Sequence, residues 1–250
     1  WDDLTPAALL TRGAFLNAAA VQMALGGSTN AAVHLIAMAR RAGVPFTLDD
    51  LDAAGRRVPV LANLFPSGDR LMEDFHYAGG LPALMSRIAA HLDLSQRNAN
   101  GRTLGENLAG VQVLDDEVIR PLDRPVSASG ALAVLRGNLA PEGAVMKASA
   151  ASPKFLRHRG RAIVFDDPAE MNRACADPAL ECDESSVLVL RNAGPVGAPG
   201  MPEWGGLPIP KKLLDQGVRD MVRVSDARMS GTHYGSCILH VSPEAAVGGP

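Results

Sequence analysis

Asp220-Met-Val-Arg-Val-Ser-Asp-Ala-Arg-Met-Ser-Gly-Thr-His-Tyr-Gly-Ser-Cys-Ile-Leu-His-Val241 holds two apolar, β-branched runs, Val222 to Val224 and Cys237 to Val241. They flank a polar loop centred on Ser230-Gly231-Thr232. The pattern predicts strand, loop, strand. A small hydroxyl side chain followed by glycine lets a ligand approach both the hydroxyl and bare backbone N–H groups.

The same alternation extends upstream. Short β-rich runs at Ala144 to Lys147, Ala162 to Phe165 and Val187 to Leu190 are separated by Gly/Pro punctuation. Helix signals lie between the runs, at Pro168 to Ala176 and Pro210 to Gln216. Such strands predict a barrel-like or mixed sheet rather than a doubly wound one. The first half reads as helical. Thr5-Pro6 opens a helix expected to run to Leu25, and Gly26-Gly27 breaks it. Ser28 or Thr29 caps a helix through Ala42, and Thr47-Leu-Asp-Asp starts another. Val58 to Leu61 is expected as a short buried strand. More helix is expected at Asp69 to His76, Leu81 to Leu92 and Thr103 to Ala109. The fold class is therefore α/β: residues 1–124 form part of an α/β domain, and residues 125–250 form a β-barrel-like domain with flanking helices. The Pro- and Ser-containing segment Arg120 to Ser129 divides them.

Composition narrows the function classes. The chain has 250 residues, is 47% hydrophobic and 20% charged, and carries a formal net charge of −3. That balance excludes a nucleic-acid-coating surface. The most apolar stretch, Ala14 to Leu25, is interrupted by Asn17 and Gln22, so no membrane span is expected. No secretory signal is visible, and the expected compartment is the cytoplasm. Cys175, Cys182 and Cys237 form neither a CxxC pair nor a zinc-like spacing, so they read as ordinary thiols, one of them buried in a strand.

Ser230 is the first candidate for chemistry. A serine hydroxyl becomes a base or nucleophile only when its surroundings stabilise the alkoxide. Otherwise it is a turn serine satisfied by local backbone. A serine hydrolase would need G-x-S-x-G, and position 228 is Arg. Glu203 is the second candidate. It ends the loop Asn192-Ala-Gly-Pro-Val-Gly-Ala-Pro-Gly-Met-Pro-Glu203, where a carboxylate could reach a hard cation; spacing alone favours a solvated acid. Gly194, Gly197 and Gly200 match neither a P-loop nor G-x-G-x-x-G. They read as backbone that must approach something closely. Gly26-Gly-Ser-Thr-Asn30 opens a helix and is either an anion site or a capped helix junction. His34 is expected on that helix's apolar face as a core histidine, His76 is left open, and the methionines are expected as core filler.

These strings resemble the dihydroxy-acid and sugar-acid dehydratase family. The resemblance rests on Gly26-Gly-Ser-Thr-Asn-Ala, Val58-Pro-Val-Leu-Ala, Pro66-Ser-Gly and Gly79-Gly-Leu-Pro-Ala in the first half. In the second it rests on Gly143-Ala-Val-Met-Lys-Ala-Ser, Val164-Phe-Asp, the glycine loop and Ser225 to Pro250. Arg191-Asn-Ala-Gly-Pro and Ser225-Asp-Ala-Arg-Met-Ser-Gly-Thr look more like the pentonate dehydratases, of arabinonate or xylonate type, than the branched-chain amino-acid enzyme.

The resemblance implies a hydro-lyase that uses a [2Fe–2S] cluster and Mg²⁺. Ser230, as alkoxide, would remove the C2 proton of a sugar acid. Gly231 and Thr232 would bind the substrate, and Glu203 would bind the metal. It further implies a homo-oligomer, dimer or tetramer, with a small sugar acid as its partner and neither nucleic acid nor membrane. The family's cluster cysteines and most metal ligands would precede Trp1, and no cysteine here matches a cluster motif. The chain is therefore expected to be a central and C-terminal portion that lacks the cluster ligands. The alternatives are a dihydroxy-acid dehydratase of branched-chain amino-acid synthesis and a non-catalytic fragment.

Overall fold

In the computed structural model, residues 4–198, 207–229 and 234–250 are described. The chain divides into two compact units, Trp1–Leu132 and Ala133–Pro250.

The first unit is helical. Where one helix was expected up to Leu25, there are two, α1 (Pro6–Leu9) and α2 (Arg12–Leu25). The break follows from a second cap: the Thr11 hydroxyl accepts the Ala14 N–H at 3.1 Å, restarting the helix. α2 ends at Gly26, whose φ of 70° is the left-handed cap conformation. It buries Phe15, Ala19, Ala20, Met23 and Ala24 and packs against α3 (Asn30–Arg41) and α4 (Leu48–Arg57). α4 starts with the expected capping box: the Thr47 side chain accepts from the Asp49 N–H, and Asp50 accepts from the Thr47 N–H. α5 (Met72–Tyr77), α6 (Gly80–Arg87) and α7 (Leu104–Leu108) complete the unit.

Two departures from the sequence reading have local causes. Val58 to Leu61 is buried but is not a strand. Its backbone partners are divided among Ala24, Arg120 and the Val126–Ser127 pair, so only isolated bridges form. His34 is exposed, not a core histidine. α3 buries Ala32 and Ala39, and a residue two positions after Ala32 lies about 200° round the helix. A close backbone fit in this unit is Gly55 against Gly130. The Gly130 N–H donates to the Gly55 carbonyl at 2.8 Å, and a Cβ on Gly130 would lie 2.8 Å from the Gly55 Cα. Only glycine allows two backbones that close.

The second unit is built on a six-stranded mixed sheet, ordered β1-β2-β6-β5-β4-β3. Its strands are β1 (Leu132–Gly137), β2 (Ala140–Lys147), β3 (Ala162–Phe165), β4 (Val187–Leu190), β5 (Arg223–Ser225) and β6 (Cys237–Ser242). β3, β4, β5 and β6 run parallel, and β2 is antiparallel to β6 with an irregularity between Gly143 and Val145. α8 (Pro168–Ala176) connects β3 to β4, with Asp167 capping it by accepting the Glu170 N–H at 2.8 Å. α9 (Lys211–Asp215) precedes β5.

Strand alternation sorts the side chains onto two faces. Phe165, Leu188, Leu190, Cys237 and Leu239 form one buried core with Met171, Cys175 and Leu213 of the two helices. Val164, Val189 and Val224 point the other way and, with Val241 and Pro250, line an apolar groove. Among the described residues no helix is long and apolar enough to cross a membrane.

Candidate functional site

Ser230, Gly231, Thr232 and Glu203 lie outside the described residues. The structure instead defines the scaffold from which their two segments depart and to which they return.

The departure side is organised by Asp226, immediately after β5. This buried carboxylate accepts three backbone N–H groups: Asn192 at 3.1 Å, Ala193 at 3.0 Å and Ala245 at 3.1 Å. The donors belong to the chain that follows β4 and the chain that follows β6. One side chain therefore fixes three strand exits. Asn192 takes a positive φ of 59°, a conformation asparagine tolerates better than most residues. Beside it, the Glu244 carboxylate accepts the Val196 N–H at 2.9 Å and the Gly197 N–H at 3.2 Å. The glycines make this possible. A Cβ on Gly194 would lie 2.3 Å from Glu244 Oε2, and one on Gly197 would lie 2.5 Å from the Asn192 carbonyl oxygen. The close approach expected of the glycine string is thus seen at its first two members, the object being the Glu244 carboxylate at Gly194 and the Asn192 backbone at Gly197. Gly200 lies outside the described residues.

The return side is organised by Asp220 and Arg223, both buried. Asp220 accepts the Ser236 N–H and hydroxyl, each at 2.8 Å, and the Ser152 N–H at 3.1 Å. Burial pushes its pKa up, but these hydrogen bonds outweigh that and hold it below the usual carboxylate value. Arg223 donates to Asp220 at 3.4 Å and to the carbonyls of Met221 at 3.2 Å, Leu207 at 2.9 Å and Tyr234 at 3.1 Å. The sequence reading missed this pair. The available signal was a lone arginine between Val222 and Val224, in a run otherwise fit for burial.

Ala193, Leu207, Ala227 and Met229, which flank the two undescribed segments, pack into the core beneath α8 and α9. The other candidates resolve simply. At Gly26 to Asn30, the Ser28 hydroxyl accepts the Asn30 N–H at 3.1 Å and Gln22 donates to the Ser28 carbonyl, the arrangement of a capped helix junction. His76 is exposed, its ring edge-on to Tyr77. Met23, Met146, Met171, Met221 and Met229 are core, whereas Met38 and Met72 are exposed.

The described residues do not fit a cluster or a divalent cation. No group of three His, Cys, Asp or Glu side chains among them could hold a metal. Burial raises the Cys175 thiol to about 11, with the nearby Cys182 adding to the effect, and burial also raises Cys237. A cluster ligand must be a thiolate. Asp220, Asp226 and Glu244 already accept backbone N–H groups.

Comparison with known proteins accounts for the shared strings. Residues 1–107 match the N-terminal domain, and residues 117–250 the C-terminal domain, described as dihydroxy-acid/6-phosphogluconate dehydratase. The chain belongs to this family. It is 60% identical to the 6-deoxy-6-sulfo-D-gluconate dehydratase of Pseudomonas putida, an alignment that covers 100% of this chain and 44% of the relative. It is 53% identical to the L-arabonate dehydratase of Azospirillum brasilense, covering 100% and 43%. Identity to the dihydroxy-acid dehydratase of Caldicellulosiruptor bescii is 43%, covering 99% and 45%. The chain thus spans less than half the length of these relatives.

Proposed function

We propose that this chain is part of a hydro-lyase that dehydrates a sugar acid, an aldonate, to its 2-keto-3-deoxy acid. The observation that carries this reading is the gradient of identity: 60% and 53% to two sugar-acid dehydratases against 43% to a dihydroxy-acid dehydratase. Pentonates such as arabinonate and the six-carbon 6-deoxy-6-sulfogluconate are the leading substrates.

In this reading Ser230, as alkoxide, takes the C2 proton while the C3 hydroxyl departs, so that one water is lost. The resulting enol tautomerises to the ketone. Gly231 and Thr232 contact the substrate, and Glu203 is a metal ligand. A [2Fe–2S] cluster and Mg²⁺ are proposed for the full-length enzyme; the described residues supply a set of ligands for neither. A barrel-like closure of the second unit, a homo-oligomeric state and a cytoplasmic location belong to the same proposal.

The test is turnover by the protein at its natural full length on L-arabinonate, D-gluconate, 6-deoxy-6-sulfo-D-gluconate and 2,3-dihydroxy-isovalerate, with the 2-keto product quantified. The expected result is a kcat/KM for one sugar acid at least about tenfold above that for the branched-chain substrate, a preference of roughly 1.4 kcal/mol. Preference for 2,3-dihydroxy-isovalerate would overturn it.

A further inference from the structure

We infer that the buried pair Arg223 and Asp220 is a positioning unit that holds the Ser230 loop in register for catalysis. The inference rests on the reading of Ser230 as base. Arg223 lies at the start of β5 and donates from two different nitrogens to two chain segments distant in sequence. Nη1 binds the carbonyl of Leu207, four residues after Glu203, and Nη2 binds the carbonyl of Tyr234, four residues after Ser230. One planar group therefore ties together the return points of both candidate loops. Asp220 completes the grip on the second. It holds the N–H and hydroxyl of Ser236, and it joins that segment to the turn at Ser152.

Three features set this pair apart from general core filling. First, no other charged pair among the described residues is so deeply buried, with side chains 5% and 3% exposed. Desolvating two charges is costly, and a well-packed apolar pair often serves stability as well or better. Second, among the described residues the partners of Arg223 beyond Asp220 are main-chain carbonyls, two of them at loop ends, so these hydrogen bonds fix backbone rather than other side chains. Third, the loop is fitted to the pair. Gly235 has φ of 117°, and a Cβ there would lie 2.3 Å from Arg223 Nη2 and 2.4 Å from Asp220 Oδ1. The rigid fork of a guanidinium can serve two carbonyls and a carboxylate at once, whereas a lysine ammonium is a point on a flexible stem.

Misplacement of a reacting group by about 1 Å can cost on the order of 10²-fold. Arg223→Lys in the full-length protein is therefore expected to lower kcat by roughly 10- to 100-fold, to change KM less than about threefold, and to leave a cooperatively folded protein. The deciding measurement is a double-mutant cycle with Ser230→Ala, because a residue acting through Ser230 loses most of its effect once that hydroxyl is gone. Most of the Arg223→Lys penalty should vanish in the Ser230→Ala background. A full, additive penalty there, or near-normal kcat in folded Arg223→Lys, would overturn the positioning role. Near-normal turnover by Ser230→Ala alone would instead overturn the assignment of the base. If Arg223→Lys does not fold, Ser236→Ala takes its place in the cycle. It removes only the hydroxyl donated to Asp220, is expected to cost several-fold in kcat, and is held to the same criterion of non-additivity.

Discussion

Asp220 and Asp226 stand at opposite ends of β5, equally hidden from water, and reach electrostatic balance by different means. Asp220 has a guanidinium beside it in addition to the N–H and hydroxyl groups it accepts. Asp226 is held by three backbone N–H groups. Both arrangements satisfy a buried carboxylate, since hydrogen bonds from oriented amides stabilise the charged form much as a counter-charge does. The difference lies in what remains when the carboxylate is removed. At Asp226 the orphans are neutral N–H groups, that of Ala193 buried and those of Asn192 and Ala245 partly so. At Asp220 the orphan is a buried cation. An ion pair at this depth therefore makes its end of β5 the more brittle one.

The largest expected effect follows directly. Asp220→Ala leaves Arg223 uncompensated and should destabilise the protein by about 3–5 kcal/mol, read as a lowered midpoint in urea unfolding. A loss below about 1 kcal/mol would remove the distinction between the two ends. Asp226→Asn comes next. The amide keeps the shape but presents an NH₂ group to N–H donors, so at least one of them loses its acceptor, at a cost of about 1–3 kcal/mol. Acid should sharpen the contrast. Because the folded pKa of Asp220 lies below its ordinary value of 3.8, the stability it confers is present above that value and is lost as pH falls through the folded pKa. In Asp220→Ala that acid-side loss should be smaller than in the parent protein.

The smallest effect concerns a cation beyond this comparison. Burial lowers Lys147, at the end of β2, to about 8 from 10.5. Between those values the unfolded chain holds a proton that the folded chain has released, so stability contributed by this group rises with pH across the window and is flat below it. The difference in unfolding free energy between the parent and Lys147→Met, measured at pH 7.5 and pH 9.5, should change in that direction. No change would mean that the amine is not desolvated.

The elements that were legible carried their own punctuation. Val187 to Leu190 is a β-branched run bounded by turn residues, and Asp167-Pro168 announces α8 with both a cap and a first-turn proline. β1 escaped notice because Ala131-Leu-Ala-Val-Leu is equally at home in a buried helix. Val58 to Leu61 looked like a strand because its composition is that of one. Whether it pairs depends on where Ala24, Arg120 and Ser127 lie, which local sequence does not encode. The candidate site divides in the same way. The need for glycine at Gly194 and Gly197 was readable, since a repeated absence of side chain implies close contact. That Glu244, roughly fifty residues on, supplies the contact was not. Arg223 was hidden more completely, because a charged residue inside an apolar run gives no sign of which carbonyls await it.

The thiols described above have a practical consequence. Alkylating reagents consume thiolate, and burial keeps all three cysteines protonated beyond their usual range. Cys175 and Cys237 are sealed in the core, whereas Cys182 is partly open to solvent. A maleimide dye applied near neutrality should therefore settle on Cys182 alone, without prior mutagenesis. This chain thus carries one native attachment point for a fluorophore, near the core beneath α8 and α9.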